Sequence, residues 1–453
     1  MAHPQKAITL ALAAFLFGST VYRAVTLSVT VDEAYTYTQF VLPPALAGAG
    51  EYDANNHVLH TLLVKLSTRA LGASDVTLRL PALAGAALFF TALYRMLVQL
   101  AGPGSWWLPL GYALAGGNTL IGDLLPLARG YGLALGLFTL GLSLLLDDER
   151  RRRQWAGVAL GLSVAANLTL AFPVCGLLAG VLWLDRRAGI GTAAIAAGSA
   201  AALLAVPMRN AMGATFYFGA DSLLVSLRSL VGGSLTRNLS EAGGPVPAGI
   251  AAMAAVLIAT VVIGVWRGRN DRALFLMAAS IGMGLALVAA AHYGAGFPYP
   301  HGRTGLAWIL LTAVALAGLA VRFRAVAVLA APVGLAALFC YGQAWSTAAT
   351  IAWEWDAGTR SIAEVIAART RPPGRGVVRV GSSGPMSHTL NYYRVTRGWD
   401  WMADVTRDDI RQGRYDYYAV FGDDRAWVES QAMTVLYEHP VARSILAVPG
   451  PGR

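Results

Sequence analysis

Two acidic residues, Asp32 and Glu33, follow directly on the first long apolar stretch of the chain, which runs from about Ile8 to Leu27. That stretch is long enough to cross a bilayer, for which roughly 20 residues suffice. Carboxylates set where a membrane helix emerges are costly unless they face water, a cation or a substrate. The pair either caps a short helix through its dipole or serves chemistry at the membrane surface. Three arginines, Arg79, Arg129 and Arg303, sit at the ends of other apolar stretches on that same side. A guanidinium there snorkels to lipid headgroups or grips a phosphate through two parallel charge-assisted bonds. His57 and His60 lie three apart, beside Asn55 and Asn56. With Asp32 or Asp53 the histidines could hold a divalent cation; with the asparagines they could hydrogen-bond sugar hydroxyls or brace a carboxylate. A ring-rich stretch, Phe297-Pro298-Tyr299-Pro300-His301, offers aromatic faces to a sugar, or belongs to the aromatic belt of a membrane interface.

The elements that must hold these groups are apolar helices. Of 453 residues, 56% are hydrophobic and only 13% charged, where a soluble domain carries about 25%. Counting by length predicts a polytopic α-helical membrane protein of about eleven transmembrane helices, near 8–27, 77–100, 106–122, 127–146, 155–170, 172–184, 190–207, 248–266, 273–291, 304–321 and 325–345. The first reads as a retained helix, being longer than a signal-peptide core and lacking a small-x-small cleavage site. The net charge of +10 is no nucleic-acid signature, because its arginines cluster in short loops where they orient the protein. Arg150 to Arg153, Arg186, Arg187, Arg267, Arg269, Arg272, Arg322 and Arg324 share one side with Lys6, which predicts a cytoplasmic amino terminus. Asp32, Glu33, Glu51, Asp53 and Asp75 then fall outside. Cys175 and Cys340 read as small core residues, with no disulfide framework or metal site.

From Trp353 onward charges become dense and apolar runs shorten. Strand candidates at Val377–Val380, Tyr415–Phe421, Met433–Tyr437 and Ser444–Val448 predict a small exoplasmic α/β domain. The expected division is a membrane domain over 1–350, with a first exoplasmic loop at 28–76, and the α/β domain over 351–453. Gly381-Ser382-Ser383-Gly384 lacks the lysine of a phosphate loop and reads as a turn. Tyr392, Tyr393, Trp399 and Trp401 either help the tail grip a glycan acceptor or pack onto the membrane domain.

The stretch between the first two membrane helices holds about fifty residues, too many for a simple turn. In order it carries the acidic pair, then Asn55-Asn56-His57-Val58-Leu59-His60-Thr61-Leu62-Leu63, an amphipathic run to Leu71 suited to lying in the interface, and Leu78-Arg79-Leu80-Pro81-Ala82-Leu83-Ala84-Gly85. Ala128-Arg129-Gly130-Tyr131 follows the third helix. This series, covering about the first 150 residues, resembles the GT-C superfamily of membrane glycosyltransferases. Within it, the match is to bacterial relatives of the dolichyl-phosphate-mannose protein mannosyltransferases, and more distantly to lipid A aminoarabinose transferases.

The resemblance implies a GT-C fold in a bacterial inner membrane, and inverting transfer of a sugar from a polyprenyl-phosphate donor to a hydroxyl acceptor on the exoplasmic face. The acceptor would be a glycan, a lipid or a protein. The attacking hydroxyl must lose a proton, so a carboxylate within reach is needed; the family's acid matches Asp32, with Glu33 as the alternative base or as its orienting neighbour. Arg129, Arg303 and Arg79 are the candidates for the donor phosphate. Asn55, Asn56, His57, Tyr131, Tyr299 and His301 are the candidates for substrate binding. No cofactor is certain, and a divalent cation is the option that the histidines leave open. The rival reading is a transporter or flippase of lipid-linked sugars. It is disfavoured because transporters commonly show internal repeats with polar sites at midplane, whereas here the polar residues gather at one surface.

Overall fold

The computed structural model describes residues 3–44, 53–147, 149–210, 218–370 and 376–450. Glu51, expected on the outer face, lies outside the described residues. In chain order the helices are α1 (Pro4–Thr26), α2 (Val31–Thr36), α3 (Val58–Leu71), α4 (Asp75–Ala101), α5 (Trp107–Gly116), α6 (Thr119–Leu124), α7 (Tyr131–Leu146), α8 (Arg150–Ala166), α9 (Ala171–Leu184) and α10 (Arg186–Leu204). They continue as α11 (Leu223–Leu235), α12 (Val246–Arg267), α13 (Arg272–Ala295), α14 (Leu306–Arg322), α15 (Arg324–Ala344), α16 (Thr359–Thr370), α17 (Met386–Thr396) and α18 (Arg425–Ser430). Four strands close the list: β1 (Val380–Ser382), β2 (Tyr417–Val420), β3 (Thr434–Glu438) and β4 (Ile445–Val448).

Seven helical stretches among the described residues are long and apolar enough to cross a membrane. They are Pro4–Thr26, Asp75–Ala101, Arg186–Leu204, Val246–Asn270, Arg272–Ala295, Gly302–Arg322 and Arg324–Ala344. Of the other expected spans, three coincide with the shorter helices α7, α8 and α9. The stretch 106–122, expected as one span, is two short helices. Gly117 ends α5, and the Asn118 side chain accepts from the Ile121 N–H at 3.1 Å to start α6. The same asparagine donates to the Tyr341 hydroxyl at 2.9 Å, so a polar cap replaces a continuous turn.

The chain divides into two compact units: Met1–Tyr22, Gly48–His60 and Leu80–Trp345 form the first, and Arg23–Ala47, Thr61–Arg79 and Ser346–Arg453 the second. In the first, α9 packs on α13, α7 on α8, α8 on α10 and α12 on α13. Close approach rests on small residues, as in membrane bundles. A Cβ on Gly136 would meet the Gly85 carbonyl oxygen at 2.5 Å, and one on Gly85 would meet the Leu133 backbone at 2.4 Å, so α4 and α7 touch main chain to main chain. Ile258, Val262, Trp266, Leu329 and Phe339 are all more than 60% exposed, and these are faces that lipid covers. Cys175 and Cys340, expected in the core, are exposed and half-buried thiols.

In α3 the burial runs opposite to a soluble helix. Thr61, Lys65 and Thr68 are buried, whereas Leu66 and Leu71 are 66% and 65% exposed. An outward leucine stripe over a polar inner face suits a helix lying against lipid.

The second unit contains a four-stranded sheet in the order β1-β2-β4-β3. β1 runs parallel to β2, with Val380 opposite Tyr417, and the other neighbours are antiparallel. Tyr418, Val420, Val428, Ile445, Ala447 and Ile410 form its core. The expected first strand begins later than Val377. Val378 makes only an isolated bridge to Met402.

Candidate active site: an acidic helix start and a basic pocket

Within the second unit, α2 begins with Thr30-Val31-Asp32-Glu33. The Glu33 carboxylate accepts from the Thr30 N–H at 2.8 Å, and the Thr30 hydroxyl accepts from the Glu33 N–H at 3.4 Å. This is a capping box, and its Thr-x-x-Glu spacing stands in the sequence. Glu33 is completely buried and accepts from Arg79 twice, Nε to Oε1 at 2.9 Å and Nη2 to Oε2 at 2.8 Å.

Arg79 is also completely buried, and each of its five N–H groups has a partner. Besides Glu33 it donates to the carbonyls of Ala24 at 2.9 Å, Leu27 at 2.8 Å and Ser28 at 2.8 Å. Arg360 donates to the carbonyls of Val25, Thr26 and Leu27 and to the Asp75 carboxylate at 2.6 Å. The last carbonyls of α1, orphaned by helix geometry, are therefore capped by two guanidinium groups. Arg79, expected at a phosphate, has no N–H left for one.

Asp356 completes the arrangement. It is buried, and its Oδ2 accepts from the Val31 N–H at 2.5 Å while Oδ1 accepts from the Thr359 hydroxyl at 3.3 Å. Burial holds its carboxyl well above the usual range, opposed by those two hydrogen bonds and reinforced by the charges of Asp32 and Glu33. The Tyr393 hydroxyl accepts from the Val29 N–H at 3.1 Å, and Tyr392 donates to Asp75 at 3.2 Å. Both tyrosines are completely buried, so they are core residues of this unit and offer no surface to a glycan. The result is a rigid frame in which Glu33 is locked and Asp32, next to it on α2, is half-buried. His388 stands against Tyr35 with ring centroids 5.2 Å apart. Burial keeps it below its usual basicity, as does Arg407, while the charge of Asp32 pulls the other way.

Within the first unit, a cavity of about 120 Å³ is lined by Asn55, Asn56, His57, Arg129, Tyr131, Asn167, Thr169, Phe218, Arg303 and Thr304, among others. Arg129 is buried and donates to Asn55, Nη2 to Oδ1 at 2.7 Å and Nη1 to the carbonyl at 3.3 Å. Asn55 is itself turned by Asp53, whose carboxylate accepts its N–H at 2.7 Å. Gly130 is required here, since a Cβ would meet the Ala166 carbonyl oxygen at 1.9 Å and the His57 Cβ at 3.0 Å. The Arg-Gly-Tyr run thereby brings Arg129 and Tyr131 to one pocket. The Arg303 guanidinium lies over the Phe218 ring, 4.0 Å from its centroid. His57 meets Tyr131 edge to face at 5.3 Å. Burial depresses its basicity strongly, helped by the charges of Arg129, His60 and Arg303 and opposed by a hydrogen bond to the Ala166 backbone. A neutral imidazole beside two guanidiniums makes a pocket suited to an anion.

Of the residues expected at a substrate, Asn55, Asn56, His57, Tyr131, Arg129 and Arg303 line this one cavity. Tyr299 and His301 do not. Tyr299 is buried against His292, with centroids 4.3 Å apart, and pairs its backbone with Ala220. His301 packs on Phe218 at 5.8 Å and caps the turn that carries Arg303. Both pack within the loop that carries Arg303. Thr169 and its cap Asn167 belong to a short 3-10 turn and Phe218 to a loop, and none of them stands in a sequence motif. Among the described residues no three His, Cys, Asp or Glu side chains gather as a metal-binding set. In the second unit, Ser383 donates to Asp424 at 2.6 Å, so the Gly-Ser-Ser-Gly turn faces a carboxylate.

No protein-family model matches the chain, and no curated protein matches it. Among solved structures it is similar to ArnT from Cupriavidus metallidurans bound to undecaprenyl phosphate, at 11% identity and a TM-score of 0.43, covering 100% of this chain and 99% of that one. It is also similar to the Archaeoglobus fulgidus oligosaccharyltransferase in complex with zinc and sulfate, at 10% identity and a TM-score of 0.47, over 92% and 68% of the two chains. Arabinosyltransferase EmbB from Mycobacterium smegmatis is a third, at 15% identity and 0.36, over 81% and 44%. These are distant likenesses.

Proposed function

We propose that the chain is a GT-C-type membrane glycosyltransferase that moves a sugar from a polyprenyl-phosphate donor to a hydroxyl acceptor. The observation that carries this is the pocket in which Arg129 and Arg303 meet a neutral His57 and the amide and hydroxyl groups of Asn55, Asn56 and Thr169. The pocket is lined by the start of α7, the end of α8 and neighbouring turns, and in a membrane protein a lipid-borne anion is its natural ligand. Loss of the lipid phosphate as leaving group builds negative charge, and two guanidiniums held in place stabilise it. Asn and Thr side chains both donate and accept, which suits sugar hydroxyls.

Asp32 is the base in this reading. Glu33 cannot both lock Arg79 and shuttle a proton, since its two oxygens already take three hydrogen bonds in a buried ion pair. Asp32 takes the proton of the acceptor hydroxyl as that oxygen attacks the anomeric carbon, and the phosphate departs with the bonding pair. Glu33, Arg79 and Asp356 are positioning residues for α2. The amino terminus is assigned to the cytoplasm, and the carboxy-terminal residues 351–453 with the loop 28–76 to the exoplasmic side of a bacterial inner membrane, on the arginine asymmetry of the loops.

The deciding experiment is incubation of the purified protein with radiolabelled polyprenyl-phosphate sugars, followed by assay of released polyprenyl phosphate. Release that requires Asp32 and Arg129 supports the reading. Transport of intact lipid-linked sugar across proteoliposomes without release would end it.

A further inference from the structure

A second and larger cavity, of about 720 Å³, lies wholly within the second unit. That is within the range of small-molecule pockets, about 300–1,000 Å³. We propose that it is a binding cleft for a neutral oligosaccharide, a site separate from both the Asp32 frame and the Arg129 pocket. Four elements build it: the short turn Glu354–Gly358, Pro385 at the start of α17, the segment after β2 that leads into α18, and the end of β3 with the turn to β4.

The lining chemistry selects the ligand. Trp355 and Phe421 meet edge to face with centroids 5.0 Å apart and planes at 74°, making an aromatic corner on which the C–H face of a pyranose packs. Around it stand carboxylates and guanidiniums together. Arg425 is ion-paired with Glu438, whereas Glu354 and Asp423, both exposed, form no ion pair or side-chain hydrogen bond among the described residues. Three carboxylates (Glu354, Asp423, Glu438) against two guanidiniums (Arg425, Arg443) leave the wall with an acidic excess. An anion is therefore disfavoured, and a purely apolar ligand would leave the charges outside the Arg425–Glu438 pair, those of Glu354, Asp423 and Arg443, without a polar partner. A polyhydroxylated neutral molecule satisfies both kinds of group, because each hydroxyl donates and accepts.

The cleft is preformed. In the hairpin turn, His439 and Arg443 exchange backbone contacts with Ser444 and His439 at 2.9 Å each. The His439 Nδ1 accepts from the N–H groups of Val441 and Ala442 at 3.3 and 3.0 Å. Arg443 itself sits in the left-handed region, φ +55°, a conformation unfavourable for an arginine and maintained by that bracing. The neighbouring wall is tied to the catalytic frame by sequence. Trp355 faces the cleft, and the next residue, Asp356, holds the Val31 N–H at the start of the Asp32 helix.

The test uses the full chain in phospholipid nanodiscs, which avoids sugar-based detergents, with no donor lipid present. The probes are linear trisaccharides of mannose, glucose and galactose, and inorganic phosphate as the anionic comparison. Saturation-transfer NMR reports contact, and tryptophan fluorescence titration gives affinity. At least one trisaccharide is expected to bind saturably, with Trp355→Ala and Phe421→Ala each weakening it roughly tenfold and Trp355→Phe retaining most of it. Should Trp355→Ala lose its folded circular dichroism, the exposed pair Glu354→Gln and Asp423→Asn decides, expected to weaken binding several-fold in a folded protein. The proposal is overturned if none of the trisaccharides binds the wild-type protein. It is equally overturned if binding is unchanged in the folded variants, or if phosphate binds in the trisaccharides' place. Because binding is read without turnover, this outcome is independent of the transfer reaction.

Discussion

Arg79 donates from Nε and Nη2 to the two carboxylate oxygens of Glu33, at 2.9 and 2.8 Å, and neither side chain is exposed to solvent. A buried ion pair is weak evidence for net stability, because desolvating both charges offsets much of their attraction. It is strong evidence for position. The fork of Arg79 also takes three carbonyls at the end of α1, so one residue fixes the exit of that helix, the start of α2 and the side chain beside Asp32.

Arg79→Ala is expected to destabilise the protein by about 3–5 kcal/mol, since it leaves Glu33 buried and uncompensated. Arg79→Lys should rescue little, because three ammonium donors cannot replace five in a fixed fork. Thermal unfolding in nanodiscs checks this. A stable Arg79→Ala protein with normal melting but a raised KM for lipid donor would return Arg79 to the phosphate.

Arg129→Ala and Arg303→Ala are each expected to lower kcat/KM for a polyprenyl-phosphate sugar by roughly 10–150-fold, the equivalent of a lost charge-assisted contact of about 1.5–3 kcal/mol. Arg324→Ala is the control, being exposed; Arg322 serves less well because it pairs with Asp271. Equal kinetics for all three variants would mean that Arg129 and Arg303 serve only packing.

Much of this architecture was legible because apolar length is a local signal. The helices α1, α4, α12, α13, α14 and α15 follow from long runs of apolar residues, and the tail strands from short ones. The break between α5 and α6 was also readable, from Gly117 followed by Asn118, but the apolar run on both sides masked it. What could not be read was pairing at a distance. Arg79 and Arg129 look alike in sequence, each an arginine at the outer end of a helix. One is spent on Glu33, 46 residues away, and the other reaches Asn55, 74 residues away, in an open pocket. Asp356 and Arg360 carry no motif, and only folding brings them to residues 25–31. Tyr299 and His301 were drawn into the site by ring chemistry, although a loop needs rings for packing as well.

The pH response of His57 has a definite sign. Its folded pKa is depressed by burial and by Arg129, His60 and Arg303, so below about pH 6.5 the unfolded chain takes up a proton that the folded protein refuses. This contribution destabilises the fold progressively as pH falls below that value, by about 1.4 kcal/mol per unit for one proton, until the depressed folded pKa is reached. His57→Asn should flatten that part of the profile. Melting temperatures of both proteins between pH 7 and pH 5 test it, and identical slopes would mean that His57 titrates freely.

Asp32→Asn separates chemistry from architecture. Asparagine keeps the size of the side chain and leaves the Thr30–Glu33 box and the Asp356 contact to Val31 in place, so the protein should fold and melt normally. It cannot accept the acceptor's proton, and general-base assistance is worth about 10²–10⁴ in rate. Turnover is therefore expected to fall by that factor while donor affinity stays near wild type. Glu33→Gln should behave differently, losing stability first because Arg79 is left buried without its counter-charge. The informative comparison is kcat for each variant at a temperature where both remain folded, beside donor affinity measured without an acceptor. Near-normal kcat for Asp32→Asn would remove Asp32 as the base. A folded Glu33→Gln protein that binds donor but does not turn over would move the role one residue along α2.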